Sequence, residues 1–154
     1  MEGIWRVGVS LQVLRERRTG TLVEHLGIEL IELGPDYLVG TMPVDHRTCQ
    51  PMRMLHGGAS VALAETLGSL AANAANHLPE RAFVGLEINA NHVRAVREGM
   101  HVTGTARPLH VGRSTQVWSI EILDPQGLLV CTSRLTLALV QRPAGVPLPG
   151  AVDN

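Results

Sequence analysis

The sequence predicts an α+β fold in which a mainly antiparallel sheet wraps around one long central helix. Three observations carry that expectation. Residues 58–76 are rich in alanine and leucine and contain no proline, which favours a helix of about five turns. Two strand-like runs precede this stretch and four follow it, giving the order β-β-α-β-β-β-β. The late strands follow one another through short turns, and strands joined in that way pair antiparallel.

Taken in order, residues 10–20 place Leu11 and Leu14 among charged neighbours and close on Gly20, the pattern of a short surface helix. Residues 26–33 and 37–44 contain apolar and β-branched residues around Gly34-Pro35-Asp36, so they read as a hairpin. From Val44 to His56 the periodicity is lost. Asp45, His46, Arg47, Thr48, Cys49, Gln50, Pro51 and Arg53 make this stretch a polar loop and a candidate wall of a site.

The helix expected at 58–76 is apolar nearly all round, which is the pattern of a buried helix. Its small residues, among them Ala59, Ser60, Ala62, Ala64, Gly68, Ser69, Ala71 and Ala72, let a sheet or a second helix approach closely. From residue 82 the period changes to two. Ala82, Val84, Leu86, Ile88 and Ala90 are expected on one face of a half-buried strand, with Phe83, Gly85, Glu87, Asn89 and Asn91 on the other. Further strands are expected at about 100–107, 115–123 and 128–140, the last two joined by a turn at Asp124-Pro125-Gln126-Gly127. Residues 1–140 read as a single domain. Beyond them, Pro143, Pro147 and Pro149 with Gly145 and Gly150 give 141–154 the composition of an extended or disordered tail.

Composition narrows the partners. The 154 residues are 45% hydrophobic, enough for one core, and 13 Lys+Arg against 14 Asp+Glu leave a formal charge of −1. No broad field therefore favours nucleic acid or an anionic membrane, and any anion site must be local. The N-terminus lacks the charged and apolar regions of a secretory signal, and no apolar run nears the roughly 18 residues of a membrane span. These features predict a soluble cytoplasmic protein. Cys49 and Cys131 are expected as free thiols, and the seven histidines show no metal-ligand spacing. No metal and no cofactor is expected.

The chemistry concentrates where the loop becomes the central helix. At His56-Gly57-Gly58 the first backbone N–H groups of the helix have no intrahelical partner. Glycine leaves them open to an approaching oxygen and the helix dipole favours negative charge, so Gly57 N–H is a candidate oxyanion donor. The plain alternative is a flexible start to the helix. Glu65 is sharper: its neighbours three and four positions away are Val61, Ala62, Gly68 and Ser69, and none is a cation. A carboxylate on an apolar helix face is costly to bury unless paired or used. Either an arginine from a distant strand pairs it, or it works on a substrate. Ser69 projects from the same face as Glu65, either as small packing or as a hydroxyl that helps orient water or an acyl group.

Spacing then predicts assembly. Gly57 and Glu65 are eight residues apart, roughly 12 Å along a helix, whereas catalytic contacts need roughly 3 Å. The two cannot serve one carbonyl from the same chain. Two antiparallel helices about a two-fold axis would bring Gly57 of one chain to Glu65 and Ser69 of the other, so a homodimer with two shared sites is expected.

The stretch from His56 to Glu65, followed by Val84-Gly85-Leu86-Glu87-Ile88-Asn89-Ala90-Asn91-His92-Val93-Arg94, resembles the hotdog thioesterases of phenylacetate-degradation type. Met42-Pro43-Val44-Asp45 and Gln116-Val117-Trp118 extend the likeness toward bacterial 1,4-dihydroxy-2-naphthoyl-CoA hydrolases and the related aryl-CoA and enterobactin-pathway proofreading thioesterases. The resemblance implies a hotdog fold, an aromatic acyl-CoA substrate, and a homotetramer built from two dimers. It implies Glu65 as nucleophile or general base and Gly57 N–H as the group that polarises the thioester carbonyl. Gln50 and His56 would line the reacting group, Gln50 near the water or the carbonyl, and Ser69 would sit where relatives carry Ser or Thr. For CoA it points to Gly85, to His92, Val93, Arg94 and Ala95, and to His110, Val111, Gly112, Arg113, Ser114 and Thr115. Arg94 and Arg113 have the chemistry to meet phosphates through charge-assisted hydrogen bonds. Two other functions fit the same fold: a non-catalytic acyl-CoA-binding module, and a hydratase, which would need an acid-base pair beside Glu65.

Overall fold

A computed structural model describes residues 3–142. Most of the tail expected at 141–154 therefore lies outside the described residues. Strands β1 (Glu29–Leu33) and β2 (Leu38–Pro43) form the expected hairpin. The long helix follows and, after the short α1 (Leu11–Arg15) and α2 (Leu22–His25), is α3 (Gly57–Ala74). Strands β3 (Arg81–His92), β4 (His101–Val111), β5 (Thr115–Leu123) and β6 (Leu129–Gln141) complete the fold. All strand pairs are antiparallel, in the order β1-β2-β4-β5-β6-β3. The six-stranded sheet wrapped on α3 is a hotdog fold.

The small residues of α3 and of the sheet explain how closely the two pack. Gly40 on β2 pairs with Gly104 on β4, and a Cβ at either would stand 2.8 Å from a methyl of Leu67. Leu67 thus fills a hole left by two missing side chains. On the next strands Trp118, Ile120, Leu135 and Leu137 close the core against α3, all fully buried. Burying an aliphatic side chain of this size stabilises by about 1.5–3 kcal/mol. Trp5 stacks on Trp118 with ring centroids 6.2 Å apart and fastens the N-terminal segment to the sheet.

Three sequence expectations need correction. The helix expected at 10–20 breaks into α1 and a 3-10 turn at Glu16–Arg18, and its Leu14 is buried rather than on the surface. The chain also forms α2, which no clear apolar period announced. The larger correction concerns β3. Phe83, expected on the polar face, is buried, whereas Val84 and Leu86 are exposed. The register slips between Gly85 and Glu87, and beyond that point Ile88 and Ala90 pack against the core as expected. A bulge adds one residue, and with a side-chain period of two it exchanges the faces of the strand. Gly85, just before it, therefore faces α3.

Candidate active site

One side of α3 is fully covered by the sheet. Along the other, Val61, Ala62, Glu65, Thr66, Ser69, Leu70 and Asn73 remain half-buried, a stripe that follows the helical period. Glu65 lies at its centre. No arginine reaches it: among the described residues the ion pairs are Arg18–Glu29, Arg47–Asp45, Arg53–Glu98 and Arg107–Asp36. Its one hydrogen bond there comes from Ser69 Oγ, which donates to Oε1 at 3.1 Å. The backbone of Gly85 presses against the same carboxylate, since a Cβ at that position would stand 2.5 Å from Oε1. The shifted register of β3 brings Gly85 here. Ser69 Oγ fixes one carboxylate oxygen and leaves the group otherwise unpaired, the condition of a carboxylate free to meet water or an acyl carbon.

Asn73, one turn beyond Ser69, was not singled out in the sequence. Its Nδ2 donates to Ser69 O and to Phe83 O, both at 2.9 Å, and its Oδ1 accepts from Phe83 N at 3.0 Å. The amide thus ties α3 to β3 beside the carboxylate. The available signal was its place at i+4 from Ser69 and i+8 from Glu65, on one helical face.

At the start of α3, His56 is the N-cap, and its Nδ1 accepts from Gly58 N at 2.8 Å. That bond needs the Nδ1 lone pair, so the proton of the neutral ring sits on Nε2. Gly58 N–H is consumed by the cap, while Gly57 N–H has no acceptor among the described residues. Absence of a side chain at Gly57 also admits His92, whose Nε2 would lie 3.0 Å from a Cβ there. Gly57, Ser60, His92, Val93, Arg94 and Ala95 line a cleft of about 350 Å³. The structure therefore brings the oxyanion candidate together with the first expected CoA segment.

The second segment lies elsewhere. Val111, Gly112 and Arg113 line a cleft of about 310 Å³ with Asn76, His77 and Phe83 near the C-terminal end of α3. Arg113 and Ser114 line another of about 430 Å³. His110 folds back on Gly112, where a Cβ would meet its ring, and Thr115 O accepts from Gly112 N at 3.0 Å. Within one chain the two segments are thus separated by α3, 18 residues or about 27 Å long. Gln50 lines none of these three clefts. It sits in a tight turn where its side-chain oxygen accepts from Met52 N and its backbone N–H donates to Met54 O at 2.8 Å.

Of the other sequence expectations, both cysteines are free, Cys49 half-buried and Cys131 buried. Burial pushes the Cys49 thiol up, away from the thiolate that a nucleophile requires. Among the described residues no helix is long and apolar enough to cross a membrane.

With fold and geometry in hand, comparison with known proteins is specific. The family model described as thioesterase superfamily matches residues 52–131, from the loop before α3 to the buried Cys131. The proofreading thioesterase EntH of Cronobacter turicensis is 53% identical over 140 residues, covering 89% of this chain and 98% of that one. The 1,4-dihydroxy-2-naphthoyl-CoA hydrolase of Escherichia coli is 50% identical over 137 residues, covering 89% of this chain and 99% of that protein. A crystal structure of a thioesterase from Haemophilus influenzae superposes with a TM-score of 0.85 at 48% identity, covering 90% of this chain and 95% of that one. The likeness runs through every element that positions Glu65 and Gly57, and the chain belongs to the thioesterase superfamily as a thioester hydrolase of hotdog fold.

Proposed function

We propose that this hydrolase cleaves aromatic acyl-CoA thioesters in sites shared by two copies of the chain. The reading rests above all on Glu65, an unpaired, half-buried carboxylate held by Ser69 Oγ on the uncovered stripe of α3. Either the carboxylate attacks the thioester carbon and water releases the acyl group, or it takes a proton from the attacking water. In both cases water supplies OH to the acyl group and H to the departing CoA thiol. Gly57 N–H donates to the carbonyl oxygen as negative charge develops there, and the dipole of α3 adds to the effect. Gln50, whose side-chain oxygen is engaged by Met52 N–H, has its amide N–H groups to offer to the carbonyl or the water.

Sharing follows from distance. The eight residues from Gly57 to Glu65 span about 12 Å of unbroken helix. A second α3 antiparallel to the first would cover the half-buried stripe and set Gly57 and the 92–95 segment of one copy beside Glu65 and the 110–115 segment of the other. An aromatic acyl group is the choice that the named activity of the Escherichia coli relative favours.

The test compares wild type and Glu65→Gln on benzoyl-, 1,4-dihydroxy-2-naphthoyl- and hexanoyl-CoA, following free thiol with a thiol-reactive dye. Wild type is expected to prefer the aromatic thioesters by kcat/KM, and the variant to lose about 10²–10⁴-fold in kcat. Equal activity of the variant would remove Glu65 from the mechanism, and preference for hexanoyl-CoA would overturn the aromatic assignment. Binding of acyl-CoA with no thiol release would make the chain a binding module.

A further inference from the structure

All 13 basic residues of the chain are arginines, and they are not evenly neutralised. Among the described residues Arg18, Arg47, Arg53 and Arg107 have carboxylate partners, and the arginines without one include Arg15, Arg94, Arg97 and Arg134, scattered over the chain, and Arg6, Arg81, Arg113 and Arg142. The last four gather at the end of the molecule beyond the C-terminus of α3. Arg6 N–H donates to Ala74 O, and two of its guanidinium nitrogens are buried without a partner. Its pKa is pushed down by burial and by the neighbouring charge of Arg142, as two cations without an anion between them would require. Arg142 N–H in turn donates to Glu80 O at 3.1 Å.

Two of the four, Arg81 and Arg113, line the cleft of about 430 Å³ together with Ser114 and Glu80. The backbone that presents Arg81 is fixed by Asn76 Nδ2, which donates to Arg81 O at 2.8 Å. Arg113 also lines the adjoining cleft with Phe83, and Phe83 is bound to Asn73, which is bound to Ser69 beside Glu65. From Glu65 to the end of α3 is nine residues, about 14 Å, with the two clefts just beyond. That span is of the order of an extended pantetheine arm, so a CoA thioester held at Glu65 reaches this end with its nucleotide. Planar guanidinium groups suit phosphate oxygens, while the one carboxylate, Glu80, has the chemistry to accept from a ribose hydroxyl or the adenine amino group.

We infer that Arg81 joins Arg113 in holding the phosphates of the CoA nucleotide, and that this end of the molecule selects CoA thioesters over pantetheine thioesters lacking the 3′-phosphorylated nucleotide. The inference rests on the acyl-CoA reading above but is read out separately from it. The probe is adenosine 3′,5′-bisphosphate, titrated calorimetrically into wild type, Arg81→Gln, Arg81→Lys and Arg134→Gln. Arg134 is an exposed arginine on β6 and controls for the loss of one charge anywhere. Arg81→Gln should weaken binding by about tenfold or more, as expected for loss of a charge-assisted phosphate contact. Arg81→Lys should lose less, and Arg134→Gln should stay within about twofold of wild type. The KM for benzoyl-CoA should rise in Arg81→Gln by more than kcat falls. No binding by wild type, or equal losses in Arg81→Gln and Arg134→Gln, would overturn the inference. Hydrolysis of benzoyl-CoA without bisphosphate binding would sink this inference alone; bisphosphate binding without hydrolysis would sink only the catalytic reading.

Discussion

Shared sites can be tested by separating the two halves onto different chains. Glu65→Gln removes the carboxylate. Gly57→Pro removes the donor at the first helical position, where proline fits the backbone, and its Cβ also displaces His92, whose Nε2 would lie 3.0 Å away. Loss of the general base costs about 10²–10⁴ in rate and loss of an oxyanion donor about 10²–10³. Each variant alone should therefore retain about 1% of wild-type activity or less. In a mixed dimer one site carries both lesions, whereas the other combines Gly57 of the first chain with Glu65 of the second. Random pairing of equal amounts gives about one half mixed dimers with one of two sites restored, hence about a quarter of wild-type activity. Co-expression with two affinity tags and sequential purification would isolate the mixed species, whose activity should approach about half. The proposed sharing of sites, drawn from the helical spacing of about 12 Å, predicts this recovery. Mixed dimers no more active than the parent variants would show that each site lies within one chain, and the argument from spacing would fail.

The remaining predictions concern single residues. Gly85→Ala places a Cβ 2.5 Å from Glu65 Oε1 and must move the carboxylate, so kcat should fall on the order of 10²-fold with little change in Tm; unaltered kcat would show that Gly85 does not set its position. Asn73→Ala removes three hydrogen bonds and uncouples Phe83 from α3, which should cost about 1–3 kcal/mol in denaturant unfolding. Asp45 is held at a pKa of about 2 instead of 3.8, first by its hydrogen bond from Arg47. With the folded value below the unfolded one, its contribution is full above pH 4 and is lost as pH falls through 4 toward 2. Asp45→Asn should therefore cost about 1–2 kcal/mol at pH 7, allowing for the partial exposure of the pair, and progressively less as pH falls from about 4 through 2. A pH-independent difference in unfolding free energy would rule out the ion pair as its source.

Much of this arrangement was legible because it is local. The alanine-rich stretch formed α3 at Gly57–Ala74, and Gly34-Pro35-Asp36 and Asp124–Gly127 made their turns because the residues prefer those conformations wherever they occur. The face shared by Glu65 and Ser69 needed only the helical period. Strand β3 was misread where locality ends. Nothing in the alternation of Ala82 to Ala90 announces the bulge beyond Gly85, which is set by pairing with β6 some fifty residues later. For the same reason Gln50 gave no hint that a turn would hold its side-chain oxygen, nor His92 that it would lie over Gly57.

The sequence by itself determined which residues could do chemistry and that Gly57 and Glu65 stand roughly 12 Å apart along one helix, because side-chain type and helical rise are properties of the chain alone. Only the tertiary structure decided that no arginine among the described residues reaches Glu65, that Gly85 presses against it, and that the two expected CoA segments lie at opposite ends of α3. It also decided which arginines stay unneutralised at one end of the molecule. Each of these depends on strands brought together from distant parts of the chain, where packing and register outweigh any local preference.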